Sequence, residues 1–175
     1  MTAQVTARAV RGRFVRHAPH DSDPLHRPEP PPDGRWQRGE LVGGLYLADE
    51  PATAWAEWYR HLAERGLPPE HAIPHDLHVW AVDVELADLS TGARLAAIGL
   101  PSPRPGRRTW ASYQRVGEQL WRDGWAGVCA PSAARPEHMV ICLFVGPWPP
   151  AGANPLPGAT ISVTAAPPPP RGMRT

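Results

Sequence analysis

The order of apolar and polar residues divides the chain into strands and helices separated by proline-rich breaks. Apolar stretches with a partial two-residue alternation predict strands, and apolar positions three or four residues apart predict helices. The predicted strands cover residues 10–17, 44–48, 77–86, 138–145 and 159–165, with another around Val128. The predicted helices cover residues 51–65 and 110–123. Because strands and helices mix without regular alternation, the pattern predicts an α+β fold.

Both predicted helices have recognisable ends. Pro51 suits the first position of the first helix, Asp49 or Glu50 is the expected cap, and Gly66 the expected end. Thr109 and Gly124 are the corresponding signals of the second helix. The apolar positions that predict a core-facing side are Ala54, Trp58 and Leu62 in the first helix, and Trp110, Tyr113, Val116, Leu120 and Trp121 in the second.

Length and charge narrow the classes of protein to which the chain can belong. Its 175 residues suit a single domain. The 18 basic and 17 acidic residues give a net charge of +1, which argues against a broad basic face for direct nucleic-acid binding. No apolar run approaches the ~20 residues of a membrane span, and the N-terminus lacks the apolar core of a signal peptide. We therefore expect a cytoplasmic protein that does not enter the membrane.

The 24 prolines indicate where packed structure ends. They concentrate in residues 24–32, 101–105, 147–157 and 167–170. The last cluster predicts an extended, mobile tail. The expected organisation is an N-terminal segment of residues 1–9, a folded domain of residues 10–165 and a disordered, proline-rich tail of residues 166–175.

Cysteine, histidine and glycine spacings exclude several kinds of site. Cys129 and Cys142 lie in apolar runs, which predicts buried thiols in the core. The eight histidines show no metal-ligand spacing, so we expect no metal site. The glycines do not form the Gly-x-Gly-x-x-Gly pattern, which argues against a Rossmann dinucleotide site.

Four short motifs occur in a fixed order along the chain. They are Gly34-Arg35-Trp36, Leu45-Tyr46-Leu47-Ala48, Ala54-Trp55-Ala56-Glu57 and Pro131-Ser132-Ala133. A strand carrying Arg16 precedes them, a helix with Gln114 and Gly117 comes before the Pro-Ser, and an apolar strand ending in Leu143-Phe144 follows it. With this ordered set, residues 10–146 resemble the RES family, which is named for Arg, Glu and Ser. One departure is Gln37, where the family often has asparagine.

The resemblance implies a fold, an activity and partners. The fold would be a single domain with an ADP-ribosyltransferase-like mixed or split β-sheet core and flanking helices. The activity would be cleavage of the nicotinamide–ribose bond of NAD⁺, by a glycohydrolase or by a phosphorylase that uses inorganic phosphate as co-substrate. NAD⁺ would be a substrate, with no separate cofactor. The resemblance further implies that the protein is a toxin. Its implied partners are a cognate Xre-type antitoxin, which neutralises it, and a second copy of the chain in a homodimer.

Two other functions fit the same motifs. One is a protein ADP-ribosyltransferase toxin, which joins ADP-ribose to a protein side chain. The other belongs to a different class, a non-catalytic RES-fold module that binds NAD⁺ or a protein. The intact set of Arg35, Tyr46, Glu57 and Ser132 favours an enzyme over this module.

The resemblance also assigns the site residues. Catalytic roles would fall to Glu57, Arg35, Tyr46 and Ser132, and NAD⁺ would be bound by Arg16, Arg35, Tyr46 and Ser132. Loss of nicotinamide leaves positive charge on the ribose, which the Glu57 carboxylate would stabilise. Arg35 would pair with the pyrophosphate or fix the ribose.

Tyr46 would stack on the nicotinamide and orient it through its hydroxyl, and Ser132 would hold the nicotinamide amide or a phosphate oxygen. Each residue also has an ordinary structural interpretation. Glu57 and Arg35 would then be surface residues, Tyr46 a core tyrosine and Ser132 a helix cap. Arg16 competes with Arg11 and Arg13, which lie on the same predicted strand.

Overall fold

The computed structural model describes residues 5–146 and 148–174. In chain order its elements are β1 (Ala7–Pro19), β2 (Gly43–Ala48), α1 (Pro51–Glu64), a 3₁₀-helix (Pro69–Ala72), β3 (His75–Asp88), α2 (Gly92–Ala97), α3 (Trp110–Arg122), β4 (Gly127–Pro131), β5 (Met139–Val145) and β6 (Ala153–Val163). Every predicted strand and helix is present with shifted ends. The sequence patterns missed α2 and the 3₁₀-helix.

The six strands form one sheet that closes on itself. Their order is β1-β2-β5-β4-β3-β6, and β1 also pairs with β3 in a long antiparallel ladder from Ala7↔Ala87 to Pro19↔His75. The β3–β4 pair is parallel and the others are antiparallel. The predicted single-domain α+β fold is confirmed. Because the sheet closes like a barrel, its two halves are not clearly separated, and the ADP-ribosyltransferase-like split sheet stays a prediction.

The core lies on both sides of this sheet. Ile141 and Leu143 point into the closed sheet, whereas Cys142 and Phe144 on the same strand pack beneath α3. Strand β5 is therefore buried on both faces. A third cluster lies beneath α1 and contains Val15, Ala48, Ala54, Trp55, Trp58, Leu62 and Leu77. Cys129 and Cys142 are buried and free, as predicted.

Helix α1 is attached to the sheet at its start, but without the predicted side-chain cap. Glu50 is the N-cap residue and its side chain makes no capping bond. Asp49 Oδ2 instead accepts a bond from the Met139 backbone N–H at 2.9 Å, and Glu50 pairs with Arg135. Both acids therefore fix the helix to residues 135–139 and are not available to its own N–H groups. The predicted core stripe of Ala54, Trp58 and Leu62 is confirmed.

Helix α3 starts after Thr109 and is followed by Gly124 with φ of 89°, as its sequence signals predict. Tyr113 and Leu120 are buried. The placement of Trp121 on the apolar face was wrong, because this side chain is 38% exposed. Position 121 follows Leu120 by a rotation of about 100° around the helix, which carries it out of the core.

Strand β6 and the tail extend structure into the proline-rich C-terminal region. β6 begins at Ala153, before the predicted residue 159, and contains Pro155 and Pro157. Proline is tolerated there because β6 pairs only with β3 among the described strands, so its outer edge needs no donors. Beyond β6, the Pro167 carbonyl accepts a bond from the Tyr59 hydroxyl, and Arg174 N–H donates to the Ala134 carbonyl at 2.7 Å.

The domain boundaries at residues 9/10 and 165/166, and the disorder of the tail, stay predictions. The start of β1 at Ala7 puts three residues of the expected N-terminal segment into the sheet. Within the described ranges, no helix combines the length and the apolar character that crossing a membrane requires.

Candidate active site

Glu57 is the centre of a hydrogen-bonded cluster between α1 and the turn after β4. Its Oε1 accepts bonds from the Ser132 hydroxyl at 2.6 Å and the Ala134 backbone N–H at 3.2 Å. Its Oε2 accepts a bond from Arg60 Nε at 2.7 Å. The side chain is 15% exposed, so it is neither in bulk solvent nor sealed in the core. This excludes the ordinary interpretation of Glu57 as a solvated surface residue.

Ser132 is fixed by its own turn and in turn holds Glu57. Its hydroxyl accepts bonds from the N–H groups of Ala134 and Arg135 at 3.2 and 2.9 Å, and its own N–H donates to the His138 carbonyl at 2.8 Å. Ser132 is 1% exposed, and its hydroxyl donates its proton to Glu57. In this geometry Ser132 orients the carboxylate, and its predicted contact with NAD⁺ stays a prediction.

The contacts of Glu57 keep it ionised. Burial raises the pKa of its carboxyl, but the charge of Arg60 and the hydrogen bonds from Ser132, Arg60 and Ala134 outweigh burial, so the pKa is lowered overall. A carboxylate has about four lone-pair positions. Three are occupied by protein donors. The remaining position, on Oε2, is free to accept a bond from a ligand hydroxyl.

Arg60 is a site residue that the sequence analysis did not single out. It lies one turn after Glu57 on α1, is 6% exposed, and pairs with both Glu57 and Glu64. Glu64 also accepts a bond from the Gly106 N–H at 2.8 Å. The signal was visible in the Glu57-Arg60-Glu64 spacing of three and four residues, which puts all three side chains on one helix face.

Arg35 lies near Glu57 and is buried, with 7% exposure. Its Nη2 donates to the Arg104 carbonyl at 2.7 Å, and its guanidinium lies 5.2 Å from the centre of the Tyr113 ring. Its buried Nη1 has no protein partner. Burial and the nearby Arg60 lower the pKa of Arg35, while Glu57 partly offsets them. A buried guanidinium N–H without an acceptor favours a ligand oxygen at this position.

Tyr46 connects β2 to the loop that carries Arg35. Its hydroxyl accepts a bond from the Trp36 N–H at 2.9 Å and donates to Gln37 Oε1 at 2.8 Å. Gln37 is 1% exposed and its Nε2 donates to the Pro32 carbonyl. The departure at Gln37 thus gives the loop an internal brace. With the hydroxyl engaged, the Tyr46 ring is the part of this side chain left for a ligand.

Glycines allow the Arg35 loop to pack closely against its neighbours. A Cβ on Gly34 would lie 2.3 Å from the Tyr46 hydroxyl, and one on Gly117 would lie 1.9 Å from the Trp36 carbonyl oxygen. Gln114, on the same helix as Gly117, donates to the Gly34 carbonyl at 2.9 Å. Helix α3 therefore fixes the backbone on both sides of Arg35.

This contact predicts the effect of Gly117→Ala. The added methyl group pushes the Arg35 loop away from α3, so we expect a loss of about 1–3 kcal/mol in the free energy of unfolding. Urea unfolding measures it. Gly146→Ala is the matched control, because a Cβ there meets no atom within 4 Å. Equal stability of the two variants would contradict the close approach of α3 to the loop.

Arg16 lies apart from this cluster, in a neighbouring pocket. Its Nη1 donates to the His26 carbonyl at 3.4 Å, and it lines the pocket together with Arg27, Gly43 and Gly44. Gly44 lies two residues before Tyr46 on β2, so the pocket and the cluster adjoin along this strand. Arg11 and Arg13 are exposed on β1, unlike Arg16. The structure thus separates Arg16 from its competitors, while its contact with NAD⁺ stays a prediction.

Four of the five predicted residues form one site. Glu57 and Ser132 are hydrogen-bonded to each other, and the Tyr46 hydroxyl is hydrogen-bonded to the backbone of Trp36, the residue after Arg35. Arg35 is close enough to Glu57 and Tyr46 for both to raise its pKa. Arg16 lines the adjoining pocket. An ionised carboxylate beside a buried, incompletely paired arginine and an aromatic ring is suited to binding a substrate with both anionic and cationic parts.

Thiol and metal chemistry receive no support from the described residues. Burial raises the pKa of Cys129 and of Cys142 to about 12, so both thiols stay protonated at neutral pH. His20, Asp21 and Asp76 have ligand-type atoms close together, but His20 and Asp76 already bond each other at 3.0 Å, and two of the three residues are exposed. The expected absence of a metal site stays a prediction.

Comparisons with known proteins agree with the motifs. The family model of the RES domain matches residues 7–166. Among curated proteins, no relative matches the chain. The fold is similar to that of a chain in the crystal structure of the M. tuberculosis MbcT–MbcA toxin–antitoxin complex, with a TM-score of 0.74 over 90% of this chain and 87% of the other. The two are 20% identical, so this likeness concerns the fold.

Proposed function

Because the chain belongs to the RES-domain family over residues 7–166, we propose that it is an NAD⁺-degrading toxin that cleaves the nicotinamide–ribose bond. The observation that carries the proposal is the partly buried, ionised Glu57, oriented by Ser132 and Arg60 next to Arg35. The fold that we propose is ADP-ribosyltransferase-like, with NAD⁺ as substrate and no separate cofactor.

Glu57 would stabilise the charge that develops during bond cleavage. As the bond between the ribose carbon and the nicotinamide nitrogen breaks, both electrons go to nicotinamide and the ribose becomes an oxocarbenium-like cation. At about 4 Å and an effective dielectric constant near 20, a carboxylate stabilises such a cation by roughly 4 kcal/mol. The free position on Oε2 would accept a hydrogen bond from a ribose hydroxyl.

Arg35 and Tyr46 would hold the two ends of the reacting bond. The unpartnered Nη1 of Arg35 would donate to a phosphate or ribose oxygen of NAD⁺. The Tyr46 ring would stack on nicotinamide. Arg16, in the pocket along β2, would contact the rest of the dinucleotide. Ser132 would orient Glu57, and its contact with the nicotinamide amide or a phosphate oxygen stays part of the proposal.

The acceptor of ADP-ribose would be water or inorganic phosphate. Water gives ADP-ribose and a proton, whereas phosphate gives ADP-ribose-1″-phosphate. The similarity to a chain of a toxin–antitoxin complex supports a cognate antitoxin as partner, and we propose one of the Xre type. NAD⁺ is an intracellular metabolite, so the proposed site of action is the cytoplasm. A homodimer is the oligomeric state that we propose.

The test is incubation of the pure protein with NAD⁺, with and without phosphate, followed by mass analysis of the products. Free nicotinamide with ADP-ribose or its 1″-phosphate is the expected result. Labelled ADP-ribose on a protein band would instead identify a protein ADP-ribosyltransferase. Intact NAD⁺ under both conditions, together with calorimetric binding of NAD⁺, would identify a non-catalytic module. Intact NAD⁺ without binding would overturn the proposal altogether.

A further inference from the structure

The network of charged side chains on α1 does not end at Glu57. Arg60 lies between two carboxylates, Glu57 one turn before it and Glu64 one turn after it. Arg60 is 6% exposed, and the side chains of Glu57 and Glu64 are 15% and 16% exposed. Leaving a buried guanidinium without a charged partner is strongly destabilising, so this pairing is not an incidental surface contact.

We propose that Arg60 is a positioning residue, which fixes the orientation and the charge of Glu57 and connects it through Glu64 to the loop before α3. This inference rests on the proposed cleavage of NAD⁺ for its catalytic meaning. Its structural basis is independent of that function, because it concerns the contacts of Glu57 within the free protein.

Two of the three guanidinium nitrogens of Arg60 are already engaged by carboxylates. Its Nε donates to Glu57 Oε2, and its Nη1 is directed to Glu64. Ser132 and Ala134 donate hydrogen bonds to the other oxygen of Glu57. Because both oxygens are hydrogen-bonded, the carboxylate cannot rotate without breaking these bonds. The free lone pair on Oε2 therefore points in one fixed direction. This matters because a catalytic group misplaced by about 1 Å can cost 10²-fold in rate.

Glu64 extends the network to residues 101–109, the loop before α3. It accepts a bond from the Gly106 N–H at 2.8 Å, and the Arg104 carbonyl of the same loop accepts one from Arg35 at 2.7 Å. The loop thus contacts the site directly through Arg35 and, through Glu64, the partner of Arg60. The branched guanidinium of Arg60 reaches two carboxylates at once, which the single ammonium of a lysine does not do in the same geometry.

The charged groups that act on Glu57 come from its own helix and from the Arg35 loop. Arg60 is the charged group with the largest effect on the pKa of Glu57. Arg35 and His61 also lie close enough for the charge of Glu57 to raise their pKa values. The turn after β4 contributes the neutral donors of Ser132 and Ala134. His61 is exposed, so solvent screens it from Glu57, which leaves Arg60 and Arg35 as the buried cations beside the carboxylate.

The experiment compares the wild type with Arg60→Gln, Arg60→Lys and the control Arg65→Gln, which removes an exposed arginine just beyond the helix. The first readout is carboxyl ¹³C NMR, with the Glu57 signal identified by its loss in Glu57→Gln. In Arg60→Gln we expect the Glu57 titration to move upward by about 1–3 pH units. Arg60→Lys keeps most of the wild-type titration, and Arg65→Gln keeps all of it.

The second readout is the kinetics of NAD⁺ cleavage at pH 8, where Glu57 is ionised in every variant. For Arg60→Gln and Arg60→Lys we expect kcat to fall at least about tenfold with KM changed less than about threefold, because orientation is lost and binding is kept. Should Arg60→Gln fail to fold, Arg60→Lys still tests whether kcat falls while KM is nearly unchanged.

An unchanged Glu57 titration in Arg60→Gln, or wild-type kcat in both Arg60 variants, would overturn the assignment of Arg60. If the wild type leaves NAD⁺ intact while the Glu57 titration moves as expected, the proposed function fails and the hold of Arg60 on Glu57 stands. The two ideas therefore fail separately.

Discussion

We expect Glu57→Gln to cleave NAD⁺ about a thousandfold more slowly than the wild type, and to lose toxicity at equal expression. The roughly 4 kcal/mol that a carboxylate contributes near a ribose cation corresponds to this factor. Glutamine keeps the size of the side chain and an oxygen for Ser132, but it is neutral. Its NH₂ group would face Arg60 Nε, so a loss of about 1–3 kcal/mol in stability accompanies the change.

Steady-state kinetics of nicotinamide release measure this effect, and circular dichroism checks the fold. Glu70→Gln is the control, since it removes an exposed acid from the neighbouring 3₁₀-helix. The control should keep wild-type activity. A Glu57→Gln protein that is folded and still cleaves NAD⁺ at a rate within tenfold of the wild type would remove Glu57 from its proposed role, as would continued toxicity in cells.

The elements of the fold were predictable because local signals define them. Helix α1 shows its start in Pro51 and its buried face in Trp58 and Leu62, and each signal acts within a few residues. The closure of the sheet was not predictable in this way. It depends on the pairing of β1 with β3, which joins residues about seventy positions apart, such as Phe14 and Trp80. Alternation identifies a strand but does not name its partner.

The missed elements were short or disguised. Helix α2 has six residues, too few for an apolar period, although Thr91 caps it by accepting a bond from the Arg94 N–H. The first half of β6 was hidden by Pro155 and Pro157, which read as a break unless the strand is known to lie at an edge.

The sequence could indicate which residues belong to the candidate site, but not which hydrogen bonds join them. The ordered motifs identified Arg35, Tyr46, Glu57 and Ser132, which the structure brings together. The assignment of individual contacts depends on side-chain geometry. Only the structure reveals that the Ser132 hydroxyl points to Glu57, that the Tyr46 hydroxyl is bonded to Gln37, and that Arg60 completes the cluster.

Two histidines that pack beneath α1, His17 and His75, should make the protein sensitive to mild acid. His75 is 8% exposed and packs against Trp58, Trp55 and His17, with ring centres 5.3, 6.0 and 5.6 Å away. Burial lowers the pKa of His75 to about 4 and that of His17 well below its ordinary value. Both side chains are therefore neutral in the folded protein at pH values where an unfolded chain would protonate them.

The sign of the effect follows from proton binding. Between about pH 6.5, the ordinary pKa of histidine, and pH 4, the unfolded chain binds more protons than the folded one, so stability falls as the pH is lowered through this window. For His75 the difference of about 2.5 pH units corresponds to about 3 kcal/mol lost at pH 4. Lowered carboxyl pKa values, as in Glu57 and Asp76, add a further loss of stability that begins at about pH 5 and grows as the pH falls.

Urea unfolding at a series of pH values from 8 to 4 tests this prediction with His75→Gln, which cannot titrate. The variant should lose less stability than the wild type over the window, with a slope shallower by up to about 1.4 kcal/mol per pH unit. His71→Gln, an exposed histidine on the 3₁₀-helix, should follow the wild type. Parallel curves for the wild type and His75→Gln would contradict a neutral, buried His75. Because α1 packs on this histidine and carries Glu57, the same curves define the pH range in which a fall in NAD⁺ cleavage reports on the Glu57 carboxylate and not on unfolding.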